Sequence, residues 1–194
     1  MARAGLTPQI VTERALEVLD RTGLGGLTLK AVAEHAGVAP PSLYKHVRSL
    51  DDLRALMTLR VLAEAADRLG GAVMGLSGDE ALRAFLREFR AYADEYPHRH
   101  SLMEYLPVGS EHGPALDAAA GHLVNVAMAT VRGYGLEGDD LVHAVRALRS
   151  VVVGFISLER ASGFRRPTDL DASFAFLTDI LVAGLNRQSE LRPG

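Results

Sequence analysis

Apolar residues recur along this chain at three- and four-residue intervals, and strand-like alternation is absent, which predicts an all-α fold of about nine helices. The first stripe, Ile10, Val11, Ala15, Leu16, Val18 and Leu19, follows Thr7-Pro8, a cap residue with proline at the first helical position, and stops at Gly23. The second is short: Leu29, Val32 and Ala33 behind a Thr28 cap. A long helix over 51–69 turns Leu53, Leu56, Met57 and Leu69 inward and Arg54, Arg60 and Arg68 outward; Gly70-Gly71 and the glycine-bearing 75–78 segment should end it. Leu82, Phe85, Leu86, Phe89, Tyr92, Ala93 and Tyr96 form the next stripe, closed by Pro97. A short helix over 102–106 is bounded by Pro107, and later helices run over 113–134, 139–162 and 169–187.

Between the second and third helices Gly37 supplies the tight turn, and Val38 plugs the angle between them. Leu43 and Val47, four apart, give the third helix its buried edge and leave Ser42, Tyr44, Lys45 and His46 to other faces. This is the layout of a helix-turn-helix, although the hydrophobic pattern alone fits an ordinary helical hairpin equally well. The outer face favours DNA: Lys45 and Arg48 suit phosphates or guanine edges, the Tyr44 hydroxyl suits phosphate, and Ser42 suits any base edge.

Thr28-Leu29, Val32-Ala33, Ala36-Gly37-Val38 and above all Leu43-Tyr44-Lys45-His46-Val47 resemble the TetR-type regulators, over roughly the first quarter of the chain. The resemblance implies a three-helix DNA-binding domain at 1–50 and a helical ligand-binding and dimerisation domain at 51–194. It implies that Thr28 anchors to phosphate, that Pro41, Ser42 and Lys45 face base edges, and that Tyr44, His46 and Arg48 hold the DNA backbone. Two departures bear on mechanism. Ala39-Pro40-Pro41 stands where the family usually caps the recognition helix with Ser or Thr, and each proline removes an amide from the set available to a phosphate. Leu50 stands where a lysine is common, and Ser49 with Asp52 resembles a capping box for the next helix. Fewer phosphate anchors imply a shallower salt dependence.

Charge changes the picture only when divided. The whole chain carries −3, yet residues 1–50 hold six cations against four anions, so +2 sits with the helix-turn-helix and −5 with the rest. The absence of Cys excludes disulfides, thiolate metal sites and cysteine catalysis. No signal-peptide pattern precedes the first helix, and the apolar run at 151–158 is too short to span a bilayer, so a cytoplasmic protein with no membrane partner is expected.

The larger domain resembles, more loosely, one TetR ligand-domain subgroup through Tyr96-Pro97, Arg146-Ala147-Leu148-Arg149-Ser150, Gly154-Phe155, Leu158-Glu159 and Ala161-Ser162-Gly163-Phe164. Val153 replaces the Trp or His common before that glycine, which favours an apolar or amphipathic effector. Tyr92, Tyr96, Met103, Tyr105, His122, Asn125, Met128, Arg149 and Ser157 combine aromatic bulk with sparse polarity, the usual character of a small-molecule pocket. Small residues Ala147, Gly154 and Ala161 on one late helix, with Ala172, Ala175 and Ala183 on the other, suit close packing, either within one subunit or in a four-helix dimer interface; the resemblance implies the dimer.

No catalytic, phosphate-loop or dinucleotide motif occurs. His98-Arg99-His100, His112, His122 and His143 show no metal-ligand spacing and are expected to be solvated near helix ends, while Asp79-Glu80 and Asp139-Asp140 complement helix dipoles. The expected protein is therefore not an enzyme and has no cofactor. It is a homodimeric DNA-binding regulator, a repressor released from a pseudo-palindromic operator by a small molecule. The rivals are a helical-bundle carrier or enzyme with its first helices as scaffold, and a TetR-type activator.

Overall fold

The structure, a computed structural model, describes residues 6–103 and 111–191. Among these residues there are nine helices and no strand, as the periodicity predicts. They fall into two compact units, one of residues up to Glu64 with Tyr92–Gly121, the other of Ala65–Ala91 with residues from His122 onward.

The first unit holds α1 (Pro8–Gly26), α2 (Leu29–Ala36), α3 (Pro40–Leu43), the start of α4 (Leu50–Val73), the end of α5 (Gly78–Glu95), α6 (Pro97–Met103) and the start of α7 (Gly113–Arg132). The Thr7 hydroxyl accepts from the Ile10 N–H at 3.2 Å, and Thr28 from the Ala31 N–H at 3.1 Å, so both expected caps are made. Val11, Ala15, Leu16, Leu19, Val32, Ala33, Leu43, Leu53 and Met57 are fully buried; each large aliphatic contributes about 1.5–3 kcal/mol. Glu17 ties α1 to α2, accepting from Arg14 at 2.9 Å and meeting His35. His35 and Arg14 hold its carboxyl below the ordinary 4.5. A lowered folded-state pKa stabilises above the unfolded value and is lost as pH falls through the folded one. In urea titrations at pH 7 and at about pH 3, Glu17→Gln should therefore lose less stability on acidification than the wild type; equal losses would refute this assignment.

Gly23 kinks α1 with φ +67° and ψ −178°, a conformation that L side chains rarely adopt. It lies against α6, where a Cβ on Gly23 would stand 3.1 Å from His98 Cε1. Arg99, also on α6, donates to both Asp20 oxygens at 3.0 and 3.1 Å and to both Glu64 oxygens at 3.2 Å. Its guanidinium lies 4.4 Å from the Tyr96 ring centroid. The expectation of solvated histidines fails here: His98 is half-buried and His100 fully buried. The helix expected over 102–106 begins earlier, at Pro97, and is described as far as Met103, because Pro97 serves as a first helical residue and not only as a stop. The expected boundary at Pro107, like Tyr105, lies outside the described residues.

The second unit gathers the rest of α4, α5 and α7 with α8 (Gly138–Arg160) and α9 (Leu170–Glu190). α4 does not end at Gly70-Gly71 but continues to Val73, with Leu69 buried and Gly70 packed against Val126. Arg54 and Arg68, expected outward, are half-buried, and Arg68 pairs with Glu88 at 2.6 Å. Arg90 on α5 joins three helices, donating to Glu159 at 3.0 Å and Asp171 at 2.8 Å while lying 4.9 Å from the Phe174 centroid. Asp79 does more than complement a dipole: it accepts from the Tyr134 hydroxyl at 2.9 Å and from the Asn186 amide at 3.1 Å. Asp169, expected as the first residue of the last helix, is its N-cap, and its side chain accepts from the Asp171 and Ala172 N–H groups.

With 23 residues and a mean hydropathy of 1.6 in its apolar window, α8 is long and apolar enough to cross a membrane, contrary to the expectation drawn from 151–158. Its Leu141, Ala144, Val145, Leu148, Val152, Phe155 and Ile156 stripe is buried within the unit, while Arg146 and Arg149 are exposed, the pattern of a bundle helix. Ala147, Gly154 and Ala161 of α8 and Ala172, Ala175 and Ala183 of α9 are all exposed, together with Leu158, Phe176 and Ile180.

Candidate nucleic-acid interface

The interface is built on one left-handed residue. Gly37 ends α2 at φ +67°, ψ 34°, and its N–H reaches the Ala33 and Glu34 carbonyls. The Val38 N–H bonds to Ala33 at 3.0 Å, closing the turn. The chain then extends through Ala39 and re-enters helix at Pro40.

The α-helix proper covers only Pro40–Leu43, shorter than the sequence pattern predicts. Helical bonding continues past it, with the His46 and Val47 N–H groups donating to the Leu43 carbonyl at 2.8 and 3.0 Å. Two prolines at the head remove amides, so the element is held chiefly by its anchors: Leu43 is 0% and Val47 1% exposed. With those side chains inward, Tyr44 stands 58% exposed. Pro41, Lys45 and Arg48 are exposed as well, and Ser42 and His46 are half-buried. Thr28 is exposed at the head of α2; its oxygen accepts the capping bond, which leaves the hydroxyl proton free to donate.

Arg48 is not idle. Its guanidinium donates to Glu111, and its backbone N–H donates to Asp52 Oδ2 at 2.7 Å. Asp52 in turn receives His112 Nε2 at 2.7 Å, and Ser49 accepts from the Asp52 N–H at 3.0 Å. The capping box is thus displaced by one residue, since the carboxylate returns to Arg48 and not to Ser49. Burial pushes the Asp52 carboxyl up, but the Arg48 N–H and His112 outweigh it and hold it below the usual range. Glu111 and His112 escape sequence reasoning because they lie some sixty residues from their partners.

The candidate effector residues divide. Tyr92 and Met103 are buried and Tyr96 half-buried in the first unit, with the two tyrosine rings 5.5 Å apart. In the second unit His122, Asn125, Arg149 and Ser157 are exposed and Met128 is half-buried.

Comparison with known proteins agrees with this layout. Residues 11–57 match the family described as bacterial regulatory proteins, tetR family, and residues 82–181 match the tetracyclin repressor-like C-terminal domain. An uncharacterized HTH-type transcriptional regulator of Mycobacterium tuberculosis is 33% identical over 186 residues, covering 96% of this chain and 84% of its own. A similar regulator of Bacillus subtilis is 28% identical and covers 94% of each chain. Among solved structures, a variant of TetR from Acinetobacter baumannii AYE in complex with minocycline has a TM-score of 0.69 at 26% identity, covering 95% of this chain and 98% of that one.

Proposed function

Since this chain belongs to the TetR family of DNA-binding transcriptional regulators, we propose that it is a homodimeric repressor released from a pseudo-palindromic operator by a small apolar or amphipathic molecule. The observation that carries the reading is the exposed set Pro41, Tyr44, Lys45 and Arg48 around an element pinned by buried Leu43 and Val47. Residues 1–50 read the DNA; Pro41, Ser42 and Lys45 meet base edges, while Thr28, Tyr44, His46 and Arg48 hold the backbone. Residues 51–194 bind the effector and dimerise through the exposed small-residue faces of α8 and α9, which place two reading heads about 34–36 Å apart. The protein works in the cytoplasm, where its operator is.

The effector reading is supported by the Tyr92–Tyr96 pair and by Met103 on α6. α6 is also the helix that Arg99 fastens to Asp20 of α1, so a ligand that displaces α6 acts directly on the DNA-reading unit. A hundredfold preference of the ligand for the released state corresponds to about 2.7 kcal/mol of coupling.

The direct test is fluorescence anisotropy with DNA from upstream of the protein's own gene, against scrambled DNA. Specific binding should be at least about a thousandfold tighter; equal weak binding to both, repeated on sites from unbiased selection, would overturn the proposal. The same titration at several salt concentrations counts phosphate contacts. With Lys45 on base edges and Arg48 as the phosphate cation of each half-site, log K should fall with log salt at a slope of about −2. A slope near −10 would mean that many more phosphates are held.

A further inference from the structure

We propose that Asp52, Glu111 and His112 form a binding site for a divalent first-row transition ion such as zinc, joining the start of α4 to the residues just before α7. His112 Nε2 lies 2.7 Å from Asp52 Oδ1 and 3.6 Å from Glu111 Oε1, and one donor atom from each residue falls within 4.8 Å of the others. Donors bound at about 2.0–2.1 Å to a common tetrahedral ion stand about 3.3 Å apart. The three side chains therefore need only sub-ångström to ångström shifts to share one ion.

The outer oxygens strengthen the case. Glu111 gives its second oxygen, Oε2, to the Arg48 guanidinium. Asp52 gives its second oxygen, Oδ2, to the Arg48 N–H at 2.7 Å. Each carboxylate is thus held from behind by the same residue while its other oxygen faces the imidazole, the kind of outer support that metal-binding carboxylates have. Two carboxylates against one guanidinium leave a negative charge that a dication reverses. One imidazole nitrogen with two carboxylate oxygens suits zinc, cobalt or manganese rather than a thiophilic ion, and water completes an open site of three protein ligands. The site goes beyond DNA recognition, yet it touches it: Arg48, assigned above to the DNA backbone, is the residue that orients both carboxylates.

The experiment uses full-length protein stripped with chelator and titrated with cobalt(II) alone, read by the visible absorption of the bound ion. Saturation is expected at one equivalent per chain, with displacement by zinc. His112→Ala and Glu111→Gln should each weaken cobalt binding by more than about tenfold while keeping the wild-type circular dichroism. His143→Ala, a change to an exposed histidine of α8, should bind as the wild type does. An unchanged cobalt spectrum, or His112→Ala and Glu111→Gln both binding as tightly as the wild type, would overturn the proposal and leave the cluster an ion pair. No DNA enters this measurement, so its failure is separate from failure of the operator reading.

Discussion

Tyr44→Ala should abolish specific operator binding while leaving the dimer assembled and its melting temperature within a degree or two of the wild type. The two halves of that expectation have different sources. Tyr44 is 58% exposed and follows the last residue of α3, so its truncation opens no cavity. Its hydroxyl, by contrast, is proposed to donate to a phosphate, and a hydrogen bond to a charged group is worth about 1.5–3 kcal/mol. A two-fold dimer loses that bond twice, or about 3–6 kcal/mol, which weakens binding by about 10²–10⁴. Leu43→Ala is the informative contrast. Leu43 is fully buried, and its truncation costs about 2–5 kcal/mol of stability, so it loses DNA by loosening the element rather than by removing a contact. Anisotropy with sedimentation and thermal melts separates the two. Normal operator binding by Tyr44→Ala would mean that the reading element lies elsewhere.

The second large effect belongs to Gly23→Ala, which should destabilise the DNA-reading unit by about 2–5 kcal/mol. Two costs add. At φ +67° and ψ −178° the backbone occupies a region reserved almost entirely for glycine, which costs an L residue about 1–3 kcal/mol. The new methyl also meets the half-buried His98 ring at 3.1 Å, closer than an ordinary contact, so the ring must give by a few tenths of an ångström. Urea denaturation of Gly23→Ala, His98→Ala and the double variant apportions the two. The double variant should recover the steric part and keep the backbone part. Full recovery would mean that the strained backbone costs nothing, contrary to this account.

Local chemistry was legible in the sequence wherever a single residue type has one physical use. Thr7 and Thr28 cap helices as expected, Gly37 takes the left-handed turn, and the alternation of Leu43 and Val47 with Tyr44 and Lys45 separates the buried from the exposed side of the reading element. Legibility failed where a residue has two uses. Gly70-Gly71 reads as a stop, yet the surrounding apolar stripe outweighs a helix penalty of about 1 kcal/mol per glycine. Pro97 ends one helix and begins the next. It failed again where partners are distant: Arg99 with Asp20, Arg90 with Glu159 and Arg48 with Glu111 are joined only by the fold. Of the candidate effector residues, the pattern placed Tyr92 on an apolar stripe, where it is buried, but gave no sign that Arg149 and Ser157 would be exposed.

The clasp of Arg99 on Asp20 and Glu64 also bears on how the protein is made. The DNA-reading unit is interrupted in sequence: its helices α1 to α3 are synthesised first, and the α6 that fastens them comes 79 residues after Asp20. Ala65–Ala91, which belongs to the other unit, emerges in between. At about 5–20 residues per second the ribosome holds the first three helices unfastened for several seconds. A truncated message ending before Arg99 therefore yields the first three helices without that latch, which forms only after the second unit's first segment has been synthesised.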